Sequence, residues 1–328
     1  MRILHVIFSQ GLGGSEAAVA ALARQQMRAG HAVQVMIARQ HAAPNIRDWL
    51  APDVEAVEAG RWRRAAQLKA QIKAFRPDVV HTHLGKASRL VGQLALPCPA
   101  VATLHVGYKP KDYARLDGLI CLNPAQQATL TDFQGARDVI PLMLPHLPDR
   151  RIDWRRDWGI PADAFVIGTV GRLHLLKGQA DLLAAFLALD APQAHVVVVG
   201  SGPEEARLWA MYSGQPRVHF TGALPTDASL YRAFDVFVSP SHTETFGLVL
   251  LEAMQAGCPL IATETVGAAF VLQDQPATMV PVQDIPALTT ALQAAVAHGP
   301  GQRVTYDTSA FSPAEVCQRV VGFYKIVR

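Results

Sequence analysis

The chain is expected to be α/β, with two doubly wound parallel sheets, each in its own Rossmann-like domain. Three observations predict this. Short β-branched or apolar runs alternate with helical stretches along all 328 residues, as buried parallel strands joined by crossover helices require. The alternation occurs twice: at Ile3–Phe8, Ala32–Ala38, Asp78–His81, Ala100–Leu104 and Gly118–Leu122, then at Phe165–Val170, His195–Gly200, Val218–Thr221, Val236–Ser239 and Pro259–Ala262. Between the two sets, Pro141, Pro145 and Pro148 crowd a segment that can be neither regular helix nor central strand. Domains are therefore expected at 1–148 and 149–311, with a closing helix at 312–328 packing back on the first. Strand carboxyl ends and helix amino ends converge in such folds, so ligand is expected at that edge, in a cleft between the domains.

Composition bounds the function. Hydrophobic residues make up 50% of the chain, yet no uninterrupted apolar run approaches the roughly 18–20 needed to cross a bilayer. The opening Met1–Phe8 is short, is interrupted by His5 and lacks a small-residue cleavage site, so it reads as a first buried strand and not as a signal peptide. Cys98, Cys121, Cys258 and Cys317 form no paired or dense pattern, as in a reducing cytoplasm. Net charge is +3, but residues 1–148 hold 17 Lys/Arg against 10 Asp/Glu (+7) and residues 149–328 hold 13 against 17 (−4). The first half thus faces something anionic. Nucleic acid is excluded as a partner, because no aromatic or helix-turn-helix pattern accompanies the cations.

Gly11–Glu16 follows the first strand and opens an Ala-rich helix, so Gly13 and Gly14 can bring bare backbone N–H groups to a phosphate or sugar. The spacing fails the dinucleotide fingerprint. After strand 165–170 come Gly171 and the cations Arg172 and Lys177, suited to the growing charge of a diphosphate leaving group. Turns at Gly200-Ser-Gly202 and Phe220–Leu224 offer backbone, with Leu224, to a nucleobase and ribose. The strongest signal is Pro240–Pro259, in which Glu244 and Glu252 stand eight residues apart around the turn Phe246-Gly247 and a helix from Leu248 to about Ala256. Glu252 then lies about 7 Å along that helix, the span of a diphosphate. The helix start would hold phosphates, Glu244 sugar hydroxyls and Glu252 ribose hydroxyls.

These motifs, in the order Gly171-Arg172-Leu173, Lys177-Gly178, Val199–Pro203 and Glu244 to Glu252, resemble the retaining glycosyltransferases of family 4, group 1. The resemblance implies the GT-B fold, a nucleotide-diphosphate sugar as donor with UDP-hexose favoured, and no cofactor. In the first half, Gly13-Gly14 is similar to the family's glycine loop and Asp78–His83 to its DVVHxH strand end. The resemblance implies that His105 approaches the donor sugar. His81 and His83 are read as structural, since no third metal ligand is evident. Two segments depart from the family: Leu142–Leu144 stands in place of an Asn-Gly turn with an acid, and Thr265–Phe270 in place of Gly-Gly and Glu.

The resemblance further implies retention of anomeric configuration. No Asp-x-Asp occurs in the chain, so no metal-bridged diphosphate is expected. Six cations within Arg61–Arg76, above an inner stripe of Leu68, Ile72 and Phe75, suit an anionic membrane surface. The expected acceptor is a saccharide or glycolipid of bacterial envelope or lipopolysaccharide synthesis, at the cytoplasmic face of the inner membrane. The alternatives are a catalytically silent sugar-nucleotide-binding protein and another GT-B enzyme such as a nucleotide-sugar epimerase.

Overall fold

The computed structural model describes residues 1–327 except 10, 12 and 40–45. The chain divides into two compact units: Met1–Pro145 with Ser309–Arg328, and His146–Thr308. The first breaks lie three residues before those expected, at 148 and 311.

The first unit is built on a parallel seven-stranded sheet of β1 (Arg2–Ile7), β2 (Ala32–Ala38), β3 (Glu55–Ala59), β4 (Val79–His83), β5 (Ala100–Thr103), β6 (Gly118–Cys121) and β7 (Ala136–Val139). Its order is β3-β2-β1-β4-β5-β6-β7. The second unit holds β8 (Phe165–Val170), β9 (Ala194–Val199), β10 (Val218–Gly222), β11 (Val236–Ser239), β12 (Leu260–Thr263) and β13 (Thr278–Val280). These form a parallel sheet in the order β10-β9-β8-β11-β12-β13. In both sheets the order reverses beside the first strand, which is where such folds open a crevice at the strand carboxyl ends.

Strands β3, β7 and β13 escape the pattern of apolar runs, and each lies at a sheet edge. An edge strand pairs on one side only and is partly solvated, so it needs no continuous apolar run. Sequences such as Glu55-Ala-Val-Glu-Ala59 therefore carry little signal.

Side-chain alternation in β1 sends residues to two cores. Ile3 and Ile7 join Val19, Ala23, Val320 and Tyr324 on one face. Leu4 and Val6 join Leu68, Ile72 and Val91 on the other. The closing helix Pro313–Ile326 thus belongs to the first core. The expected basic helix is shorter than Arg61–Arg76. It runs Arg64–Phe75, and Arg63 before it and Arg76 after it are left-handed, at φ 66° and 47°. Its inner stripe is Leu68, Ile72 and Phe75, all buried.

Candidate active site

At the carboxyl edge of the second sheet, loops after three neighbouring strands are bonded to one another. The Gly171 N–H donates to the Val199 carbonyl at 3.0 Å, the Gly200 N–H to Gly222 at 2.8 Å and the Leu173 N–H to Ser201 at 2.9 Å. Gly200 has φ 139°, and a Cβ there would overlap the Gly171 carbonyl. Loop-to-loop approach thus accounts for Gly200, and similarly for Gly202 against the Leu173 carbonyl. Leu224 follows β10 as a half-buried loop residue.

Gly178 performs the corresponding service between the first loop and the motif. At φ 64° it admits the Pro240 carbonyl where a Cβ would stand. The His242 N–H then donates to the Leu176 carbonyl at 2.9 Å, and the His242 ring meets Asp181 at 2.6 Å. In this frame the Lys177 ammonium donates to the Glu244 carboxylate, forming an ion pair across 67 residues. The pair keeps contact with solvent, with side chains 32% and 16% exposed. Gly267 holds the Glu244 loop from behind: its N–H donates to the Glu244 carbonyl at 3.0 Å, and a Cβ would strike the backbone of residues 244–246. The divergent segment Thr265–Phe270 therefore clamps the motif through backbone contact.

Arg172 is exposed, and its guanidinium has no partner among the described residues. Its carbonyl accepts from the buried Gln179 side chain at 3.0 Å, which fixes its backbone. The motif helix runs Leu248–Gln255 behind Gly247 at φ 94°, and no side chain caps it. Phe246 is buried and Leu248 half-buried. Glu252, on this helix, makes no helical ion pair among the described residues. It accepts a hydrogen bond from the Tyr231 hydroxyl through Oε2. Burial raises the Glu252 carboxyl to about 7, with the Tyr231 hydrogen bond opposing. Tyr231 lies 21 residues upstream and carries no motif, so only the packing of its helix reveals it.

Near the carboxyl ends of β1, β4 and β5 in the first sheet, imidazoles meet. His105, just after β5, meets His83 (Nε2 to Nδ1, 2.9 Å). His83 meets His5 at 2.9 Å, and His5 meets Gln26 at 2.7 Å. Gln26 donates to the Tyr324 hydroxyl at 3.1 Å, which bonds His81 at 2.6 Å. His81 meets Thr103 at 2.8 Å. Because a neutral imidazole has one donor and one acceptor nitrogen, this chain points one way: His105 to His83 to His5 to Gln26, then Tyr324 to His81 to Thr103. Turning the Gln26 amide over reverses every link.

Burial, first of all, drives these rings toward neutrality: His5 and His105 fall to about 4, and His81 and His83 well below their usual value. The structure corrects the sequence reading of a lone pair at 81 and 83. His5 from β1 supplies the third nitrogen, within 4.8 Å of the others. All six of those nitrogens already have protein hydrogen bonds, so the cluster is satisfied without an ion. The sequence signal for His5 was its place inside an otherwise apolar strand. Gly13 is exposed and extended, and a Cβ on it would meet only Glu16, at 3.5 Å. Packing does not demand a glycine there. Leu12 of the same loop lies outside the described residues.

Two family profiles match the chain. Residues 164–298 match the family described as Glycosyl transferases group 1, and residues 12–141 match Glycosyltransferase Family 4. A 2-deoxystreptamine N-acetyl-D-glucosaminyltransferase of Streptomyces fradiae is 32% identical, over 77% of this chain and 72% of that protein. The chain belongs to the group 1 glycosyltransferases. Within that family, the lipopolysaccharide core biosynthesis glycosyltransferase LpsD of Rhizobium meliloti is 29% identical over 71% of this chain and 68% of its own length. Among solved structures, Anabaena HepE, crystallised with UDP and glucose, superposes with a TM-score of 0.77 at 20% identity, covering 100% of this chain and 98% of its own. The two Rossmann-like units are those of the GT-B fold.

As a glycosyltransferase, the chain keeps its cations and carboxylates on one edge of the second sheet. Arg172, Lys177, Glu244 and Glu252 all follow β8 or β11. His105, Gly13 and Gly14 occupy the corresponding edge of the first sheet, after β5 and β1. No helix among the described residues is long and apolar enough to cross a membrane.

Proposed function

We propose that this glycosyltransferase moves a hexose from UDP-hexose, with retention and without a metal, to a saccharide or glycolipid acceptor in bacterial envelope or lipopolysaccharide synthesis. The observation that carries the reading is the Lys177–Glu244 pair, held at the carboxyl edge of the second sheet by Gly178 and Gly267, eight residues ahead of Glu252. Arg172 and Lys177 bind the diphosphate at the uncapped start of the helix Leu248–Gln255, where backbone N–H groups and the dipole favour an anion. Glu244 shares its carboxylate between Lys177 and the sugar hydroxyls. Glu252 takes the ribose hydroxyls through the oxygen that Tyr231 leaves open. The loops at Gly171, Gly200, Gly202 and Leu224 back the base. Gly13 and Gly14 approach the phosphates, and His105 offers the sugar the Nδ1 that has no partner among the described residues.

The acceptor hydroxyl attacks C1 from the face that the nucleotide leaves. The C1–O bond to phosphate breaks, and the departing phosphate oxygen takes the acceptor's proton. Arg172 and Lys177 offset the charge that grows on it, each charged hydrogen bond contributing about 1.5–3 kcal/mol. The likeness to LpsD supports the envelope setting, and the UDP and glucose in HepE support the donor class. Cations of the Arg61–Arg76 stretch draw the protein to an anionic surface.

The test incubates the purified chain with a panel of sugar nucleotides without acceptor and measures nucleoside diphosphate release. Selective turnover of a UDP-hexose is expected. Binding without turnover, also in the presence of a wide acceptor panel, would establish a silent binding protein instead. Proton NMR of the first transfer product then reads the anomeric configuration.

A further inference from the structure

At the carboxyl edge of the first sheet, a cavity of about 920 Å³ is walled by Arg39, Arg61, Arg64 and Lys86, with Trp62 and Gln67. Arg39 follows β2, Arg61 and Trp62 follow β3, Arg64 and Gln67 lie in the first turn of the helix after β3, and Lys86 in the first turn of the helix after β4. Four cations therefore come from three separate loops. Only Arg39 has a carboxylate partner, Glu58 at 3.4 Å, among the described residues. Like charges are not gathered around a cavity by the hydrophobic effect, and their mutual repulsion costs stability unless an anion relieves it.

Two further features narrow the anion. The Arg64 guanidinium is held over the Phe8 ring, 4.7 Å from its centroid, and its Nε is buried without an acceptor. The buried Gln67 Oε1 is without a donor. Buried polar atoms without partners are rare in native proteins and point to a missing ligand. Arg64 Nε calls for an acceptor and Gln67 Oε1 for a donor, a pair that a phosphate oxygen and a neighbouring hydroxyl would supply among four cations. Trp62 is 80% exposed beside them, an aromatic face of the kind on which sugar rings lie.

We propose that this cavity binds a phosphomonoester carried on a sugar, so that the acceptor of the transfer is a phosphorylated saccharide. Arg64 and Lys86 take the phosphate, Gln67 a neighbouring hydroxyl and Trp62 the ring face. The inference rests on the glycosyltransferase reading for its purpose but not for its test. Free sugar phosphate and a lipid-borne phosphate share the chemistry, and the measurement separates them.

Calorimetric titration of the full chain with glucose 6-phosphate, glucose and inorganic phosphate, each with and without saturating UDP, reads the site directly. Glucose 6-phosphate is expected to bind, inorganic phosphate more weakly and glucose not measurably. Arg64→Met, which keeps the contact with Phe8, and Lys86→Met are each expected to weaken glucose 6-phosphate about 10- to 100-fold and to leave UDP affinity unchanged. An Arg28→Met/Lys325→Met control, which removes two exposed cations elsewhere in the first unit, is expected to change neither. If glucose 6-phosphate fails to bind but vesicles of phosphatidic acid, a lipid phosphomonoester, bind more tightly than phosphatidylglycerol vesicles, and Arg64→Met abolishes that preference, the phosphate is lipid-borne. Absence of both kinds of binding, or equal losses in the control, overturns the proposal. Failure to bind UDP would instead sink the donor assignment, and the phosphate titration would still decide this one.

Discussion

Near the carboxyl ends of β1, β4 and β5 in the first sheet the histidines are neutral and hydrogen-bonded in a chain, whereas at the carboxyl edge of the second the side chains of the motif are charged and paired across two loops. Four histidines, Gln26 and Tyr324 form one chain in the first unit. Lys177 and Glu244 form a half-exposed pair in the second, with Arg172 unpaired beside them. Burial accounts for the difference. A ring wholly inside the fold keeps its bonds only by staying uncharged, while side chains that keep contact with water remain ionised and available to a charged ligand. The imidazole chain is thus suited to hold geometry, and the charged pair to offset charge that appears during reaction.

Acid should separate the two units most strongly. His5 and His105 titrate near 4 in the folded chain and near 6.5 when unfolded, so their stabilisation is complete above about 6.5 and is lost as pH falls toward 4. Each should cost the first unit about 2 kcal/mol at pH 5. Glu252 acts in the opposite sense: its raised carboxyl favours the second unit at low pH, and that contribution is lost as pH rises through about 7. The half-buried His195 and His219, also lowered by burial, offset part of it. Hydrogen exchange read for each unit between pH 5 and 8 should show the first opening before the second on acidification. Simultaneous opening would break the contrast.

The next largest effect concerns the charged pair. Glu244→Gln should lower transfer by about 10²- to 10³-fold, the size of loss seen when one transition-state contact is removed, while UDP affinity changes little because UDP lacks the hexose that Glu244 is proposed to hold. Lys177→Ala should weaken UDP itself by about 10- to 100-fold, and uridine hardly at all. Equal losses for UDP and uridine in calorimetry would make Lys177 a structural residue.

A smaller effect follows from Glu252. Ribose hydroxyls favour the carboxylate, so uridine affinity should rise several-fold between pH 6 and 8 in the native chain. In Glu252→Gln it should be flat, and a slope that persists would place the titrating group elsewhere. The smallest expected effect is none: transfer should continue in excess chelator if, as proposed, Arg172 and Lys177 take the place of a bridging metal. Loss of activity that Mg²⁺ or Mn²⁺ restores would overturn that part of the mechanism.

Local spacing made the second edge legible. The turn at Gly247, the helix that follows and the interval from Glu244 to Glu252 all lie within one strand-to-helix connection, where chain geometry leaves few arrangements. Nine of the ten expected strands were legible for a similar reason, since a strand covered on both faces needs an apolar residue at nearly every position; the tenth, β10, is a half-buried edge strand. The first edge was not. His5, Gln26, His81, His83, Thr103, His105 and Tyr324 span nearly the whole chain, and their meeting depends on the sheet order β2-β1-β4-β5 and on the last helix returning to the first core. The Tyr231 bond to Glu252 and the cavity of four cations arise likewise from segments brought together by packing. The sequence by itself determined the alternation, the motif and the sign of charge in each half. Only the tertiary structure decided which polar groups were buried together, because burial depends on neighbours distant in sequence, and it is burial that makes a histidine neutral or an unpaired arginine a site.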